Sequence, residues 1–403
     1  MRRKLIVLLA SFIALSTMTG CWNRRELDEL AIAVAFGIDK ADNGRFLVSA
    51  QVVDPSEVAA KRGGGTRTPV VLYQTTGRTI FEALRKMTTG APRKIYTSHL
   101  RILVIQEQLA REGIRKVLDF LSRNHELRSD FFVVVAKGER AENVLKITTH
   151  LESIPANLMF SSLKTSHKVW APTVGVTLGK LIDDIVREGQ QPVITGLEII
   201  GEQKAGENKK NAEEISPPVQ LKYSGLGVFS EDRLVGWLNE TESKAYNFIQ
   251  NYVKSTVGVI ECPRGDGDLS LELMNSKTKV TGHLRNGKPY VNIAMRLEAN
   301  IGEVGCAIDL TKPDTITEVE KIGGDKVRKF AEETVRKVQE KYGADIFGFG
   351  EVMHRSHPRY WKKASKDWEH IFRELQVNVT VDVKIRHIGT ESQSFIEQIG
   401  KEE

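Results

Sequence analysis

The sequence predicts an α+β, multidomain protein whose mixed and antiparallel sheets are packed with helices. Three observations carry that prediction. The chain has 403 residues, more than a single hydrophobic core normally organises. Strand-like runs alternate with helical periods in the first half, whereas in the second half a series of strands precedes one long helical run. Between the halves, residues 201–218 (GEQKAGENKKNAEEISPP) are charged, nearly free of large apolar side chains and closed by two prolines. That is the composition of a linker or a long surface insertion. With 40% hydrophobic and 27% charged residues the chain reads as an ordinary folded protein. Its three cysteines are too few for a disulfide framework or a multi-cysteine metal scaffold.

The first twenty residues read as an export signal. Arg2, Arg3 and Lys4 form a positive start, and the apolar run from Leu5 to Leu15 falls short of the ~20 residues that span a bilayer. Small and polar residues follow, ending in Gly20-Cys21. The pattern resembles the bacterial lipobox, in which the cysteine thiol receives a diacylglyceryl group and cleavage after Gly20 makes Cys21 the mature N-terminus. Met18 departs from the leucine that pattern prefers, and the other readings are ordinary secretory cleavage near Cys21 or a buried cysteine. Removing the leader lowers the net charge from +6 to +3. The remaining Lys and Arg are dispersed among acids, unlike the concentrated stripe of a nucleic-acid surface.

Along the mature chain, 30–39 and 46–53 predict a hairpin around Asp42-Asn43-Gly44, whose residues tolerate positive φ. Residues 55–69, with Gly63-Gly64-Gly65, predict an exposed loop; its glycines lack the Gly-Lys-Ser/Thr ending of a phosphate cradle. A strand at 70–75 precedes a helix opened by the capping-box pair Thr79 and Glu82, with Ile80, Phe81, Leu84 and Met87 facing inward. Strands are expected at 100–106, 131–137 and 193–200, and helices at 108–124, 141–148, 155–165 and 176–188. Beyond the charged segment come a hairpin (221–229, 234–238), a helix (242–253) and strands at 255–261, 269–284 and 290–300. A long helix over 315–342, with Gly323-Gly324 as a point for a kink, is followed by a helix over 359–372. The alternation in 375–387 predicts a half-buried strand. The expected organisation is a leader (1–20), an N-terminal unit (21–200), the charged segment (201–218), a C-terminal unit (219–390, with a further division after 267 left open) and a tail (391–403).

No nucleophile elbow, Walker loop, His-Glu-x-x-His helix or dinucleotide fingerprint occurs. Ser161-x-x-Lys164 has acyl-serine spacing but no downstream Ser-Asp-Asn or Lys-Thr-Gly. His354 and His357, with His370 and His387, offer metal nitrogens, yet Pro358 argues against one helix across the first pair. His125 reads as a complement to a helix C-terminus. Asp266 and Asp268 lack the other ligands of a calcium loop. Cys262 and Cys306 lie at or near strands and are able to pair in an oxidising compartment, though sequence leaves their separation open. No catalytic set, metal or cofactor is therefore expected.

The block Gly20-Cys21-Trp22-Asn23-Arg24-Arg25-Glu26-Leu27-Asp28-Glu29-Leu30-Ala31 resembles the mature start of the Ger(x)C lipoproteins, the C subunits of bacterial spore germinant receptors. The likeness continues through Gly37-Ile38-Asp39, the segment from Ser98-His99-Leu100-Arg101 to Glu107, Leu118-Asp119-Phe120, Glu126-Leu127-Arg128, and Gly225 to Phe229 with Leu234-Val235-Gly236. It also takes in Asp345-Ile346-Phe347-Gly348-Phe349-Gly350 with Trp361 and Trp368. The resemblance implies a non-enzymatic subunit tethered through Cys21 to the outer leaflet of the spore inner membrane. There it would act in assembly or signal transmission with an A-type and a B-type receptor subunit. Trp22, Arg24 and Arg25 suit a headgroup interface, because indole and guanidinium groups favour it. The alternative is an exported solute-binding lipoprotein that captures the nutrient itself in a cleft between domains.

Overall fold

Strand-forming residues flank a turn that accepts positive φ, and the first hairpin follows from them. Strands β1 (Leu30–Lys40) and β2 (Phe46–Val53) pair antiparallel, with Asn43 and Gly44 at φ 58° and 69° between them. This computed structural model describes residues 2–6, 26, 29–59, 67–264 and 266–389. The segment after β2 begins as a short helix, α1 (Pro55–Ala59); Gly63 to Gly65 lie outside the described residues. Strand β3 (Val70–Gly77) adds to β2. The strands β4 (Lys94–Tyr96), β5 (Ile102–Gln106), β6 (Phe132–Ala136) and β7 (Val193–Ile200) then build a parallel centre. The sheet is completed by the antiparallel hairpin β8 (Gln220–Ser230) and β9 (Arg233–Leu238), in the order β3-β2-β1-β5-β6-β7-β8-β9, with β4 beside β1.

The central strands are apolar on both faces because helices cover both. Leu103, Ile105, Val133 and Val135 point to a face covered by α2 (Ile80–Lys86), α3 (Glu107–Glu112) and α4 (Arg115–Arg123). Ile102, Val104 and Val134 point to the other, under α5 (Ala141–Lys146) and α6 (Pro155–Val169). Helix α7 (Leu178–Val186) returns to the first face through Leu178 and Leu181.

Four expectations change here. The single helix over 108–124 is two, because Gly113 takes φ 125° and the carboxylate of Asp232 accepts from Arg115 N at 3.0 Å. Phe81 is 49% exposed; Ala83 takes its place in the core, since position 81 points off the face that Ile80 and Leu84 share. The hairpin 220–238, expected in the second unit, instead extends the first sheet through β7. The charged segment is a docked insertion between β7 and β8 holding two short helices, α8 (Gln203–Gly206) and α9 (Lys210–Glu213). Buried Asn211 fixes it by bonding both backbone groups of Val219 and the carbonyl of Thr148.

Helix α10 (Glu240–Ile249) opens with a reciprocal Asn239–Glu242 capping box and leads to the second sheet. That sheet has the order β10 (Thr256–Glu261), β11 (Asp268–Arg285), β12 (Lys288–Val304) and β13 (Gln376–His387). Strand β13 joins β12 in parallel and alternates as its sequence predicts. Helix α11 (Pro313–Lys337) packs on this sheet. It runs unbroken through Gly323 and Gly324, which are buried. A Cβ on Gly323 would lie 3.2 Å from Leu271 and one on Gly324 3.4 Å from the Val381 carbonyl, so the glycines serve close approach and no kink is needed. Beyond α11 come α12 (Phe349–Ser356), which periodicity did not reveal, α13 (Pro358–Ala364) and α14 (Trp368–Arg373). Cys262 and Cys306 are joined in a disulfide, with Cα atoms 6.5 Å apart. One apolar core continues between the sheets, carried by Tyr246, Phe347, Phe349 and Phe372.

Candidate functional site

One of the quoted blocks, Asp345 to Gly350 with Trp361 and Trp368, lies at the junction between the two sheets. Asp345 is 3% exposed and sits under the start of α12. Its Oδ1 accepts from Phe349 N at 3.1 Å, and its Oδ2 accepts from Gly350 N at 2.8 Å and from the Trp368 indole at 2.9 Å. Burial outweighs these donors and the nearby Gly348 amide, and pushes the Asp345 carboxyl up to about 6. The Asp345 carbonyl accepts from Gln191 N at 2.8 Å, just before β7. Gly350 lies against Gly189, where a Cβ would come 2.6 Å from its Cα. Trp361 packs edge-on against Trp368 at 5.1 Å. The Tyr342 hydroxyl donates to the Trp237 carbonyl of β9 at 2.9 Å, and Lys337 pairs with Glu242 at 2.6 Å. These contacts tie the C-terminal helices to the first sheet.

Other residues of the quoted blocks are internal struts as well. The Asp39 carboxylate receives Ala141 N at 2.7 Å and Glu142 N at 2.9 Å, capping α5. Ser98 Oγ donates to the Glu126 carbonyl at 2.7 Å. Glu107 holds the Trp237 indole at 3.0 Å and Gly138 N at 2.7 Å. Gly189, Gln191 and Trp237 escaped the sequence reading. Their partners stand far away along the chain, and no local period marks them.

The candidates for chemistry are dispersed. His354 stacks on Trp361 with centroids 5.7 Å apart, and His357 shares a 3.2 Å hydrogen bond with the Gly282 carbonyl. Among the described residues no group of three or more His, Cys, Asp or Glu is placed to hold a metal ion. Ser161 and Lys164 are exposed on α6, and His125 is exposed beyond α4. Asp268 opens β11, with its carbonyl accepting from Gly305 N. Between α10, α11 and the edge strand β10 lies a cavity of about 310 Å³. Its walls are chiefly apolar, and both of its lysines are engaged: Lys326 donates to the Val259 carbonyl at 2.6 Å, and Lys244 lies 3.3 Å from the centre of the Trp170 ring.

Gly20, Cys21, Trp22, Arg24 and Arg25 lie outside the described residues, and β1 begins nine positions after Cys21. Among the described residues no helix is long and apolar enough to cross a membrane.

Comparison with known proteins covers nearly the whole chain. A family model described as "Spore germination protein N-terminal domain" matches residues 23–199. A second, "Spore germination B3/GerAC like, C-terminal", matches 224–389. Spore germination protein KC of Bacillus subtilis (strain 168) is 31% identical over 395 residues, covering 96% of this chain and 97% of the relative. Spore germination protein B3 of the same organism is 23% identical, covering 94% and 96%. The crystal structure of the GerBC protein superimposes with a TM-score of 0.56 at 19% identity, covering 87% of this chain and 96% of that one. The likeness to GerBC is one of fold.

Proposed function

Because the chain belongs to the GerAC-like family of spore germination proteins, we propose that it is a non-enzymatic, lipid-anchored subunit of a nutrient germinant receptor. Its role is assembly or signal transmission. The observation that carries this reading is the use made of its family-type polar residues. Asp39, Glu107, Asp345 and Trp368 are turned inward as struts, so the molecule reads as a rigid body that presents surfaces. In this reading Cys21 bears the lipid after cleavage behind Gly20, and Trp22, Arg24 and Arg25 lie at the headgroups of the outer leaflet of the spore inner membrane. In this reading the body divides into an N-terminal unit through 200, completed by the 220–238 hairpin, and a C-terminal unit over the rest of 219–390. Its partners are one polytopic and one partly membrane-embedded receptor subunit.

Direct nutrient capture has weaker support. The 310 Å³ cavity has room for a small molecule, but both of its lysines are already engaged. The test is recovery of the tagged chain from spore membranes in mild detergent. We expect the two receptor subunits to co-purify in near-equal amounts and calorimetry with germinant amino acids and sugars to give no saturable heat. Recovery of the chain alone, with saturable nutrient binding, would reverse the assignment.

A further inference from the structure

A groove runs between α2 and α4 on the first sheet, with a volume of about 830 Å³, within the range of sites that take small ligands. Its bed is apolar, formed by Ile80, Leu84, Ile95 and the half-buried Phe46. Phe81 and Phe120 face each other across it with ring centroids 6.3 Å apart. Around this bed stand six cations, Arg78, Arg85, Lys94, Arg115, Lys116 and Arg123, against two carboxylates, Asp119 and Glu126. Three of the cations already have acidic partners: Arg123 pairs with Asp119 at 2.9 Å, Lys94 with Glu126, and Arg115 with Asp232 at 3.3 Å and Glu231 at 3.6 Å. Arg78 and Lys116 make no ion pair among the described residues, and the Arg85 guanidinium lies 4.9 Å over the Phe81 ring. An exposed aromatic bed inside a cationic rim matches an amphiphile with an acidic head.

The position of the groove selects the amphiphile. Lys94 stands directly opposite Leu30, the first residue of β1, so one end of the groove lies where the chain enters the fold. Leu30 is nine residues beyond Cys21, a tether of at most ~30 Å. We propose that this groove binds an anionic phospholipid of the membrane to which the chain is anchored, its phosphate held by the cationic rim and its acyl chain laid on Phe81 and Phe120. The orientation argument rests on the anchor proposed above; the binding itself does not.

The test uses the purified full chain in a non-ionic detergent, so lipid binding is read apart from anchoring. It is photolabelled with a diazirine-bearing phosphatidylglycerol or with the matching phosphatidylcholine. Phosphatidylglycerol is expected to label at least fivefold more strongly, with adducts mapping to 78–95 or 115–126. Lys116→Glu/Arg123→Glu and Phe81→Ser are each expected to reduce labelling at least fivefold. All three positions are exposed or half-exposed, so melting temperatures should stay within a few degrees of the parent. Equal labelling by both lipids, adducts elsewhere, or indifference to these substitutions overturns the proposal. So does displacement by free glycerol phosphate or by an acidic amphipathic peptide as effective as the unlabelled lipid, which would reassign the groove. An unmodified Cys21 together with selective labelling would sink the anchor and leave the groove's chemistry standing.

Discussion

Replacing Asp345 with alanine is expected to lower the unfolding free energy by about 4 kcal/mol, because two backbone amides and the Trp368 indole lose a buried acceptor. Trp368→Phe removes one donor and should cost about 1–2 kcal/mol. The same carboxyl makes stability depend on pH. Its folded-state value lies at about 6, above the ~3.9 of an unfolded aspartate. The folded protein therefore keeps a proton that the unfolded chain releases, and this contribution is complete below pH ~4 and is lost as pH rises through 6. The difference is on the order of 3 kcal/mol. Denaturation midpoints measured from pH 4 to 7.5 should show the parent losing stability across that window relative to Asp345→Asn. Parallel pH profiles for the two proteins, or an Asp345→Ala midpoint matching the parent, would show that the junction does not depend on this carboxyl.

Removal of the Cys262–Cys306 bridge is expected to have a comparable effect. It joins residues 44 apart in sequence, and cross-linking a loop of that size restricts the unfolded chain by about 4 kcal/mol. Both half-cystines lie in a small core with Ile260, Leu269, Leu271, Ile301 and Val319, and the bridge pins the end of β10 to the end of β12. The double variant Cys262→Ala/Cys306→Ala avoids stranding a thiol. Its urea midpoint should fall substantially and should no longer respond to dithiothreitol, whereas the parent's should fall on reduction. A parent indifferent to reductant would mean that the bridge contributes nothing to stability.

Local chemistry was readable from the sequence and distant partnership was not. The Asn43-Gly44 turn, the Thr79 cap and the alternation of β13 are decided within a few residues, and each forms where its residues predict. The break at Gly113 depends on Asp232, more than a hundred positions away. The inclusion of β8 and β9 in the first sheet depends on pairing with β7 across the 201–218 insertion. Gly323 and Gly324 look like helix breakers until the facing strands supply a reason for a bare backbone. The Asp345–Gly350 block was visible as a pattern, but its task as the acceptor for a remote indole appears only when Trp368 is folded back onto it. The cationic groove was hidden for the opposite reason: its arginines and lysines are spread from 78 to 123 among acids and gather only when α2 and α4 lie side by side.

Mass spectrometry of the mature N-terminal peptide from spore inner membranes tests the tethered-subunit account most directly. The account predicts a chain that begins at Cys21 with a diacylglyceryl group on sulfur, and a Cys21→Ala variant that leaves the membrane fraction. A free thiol at that position, or an intact leader on a chain that stays with the membrane, would contradict it.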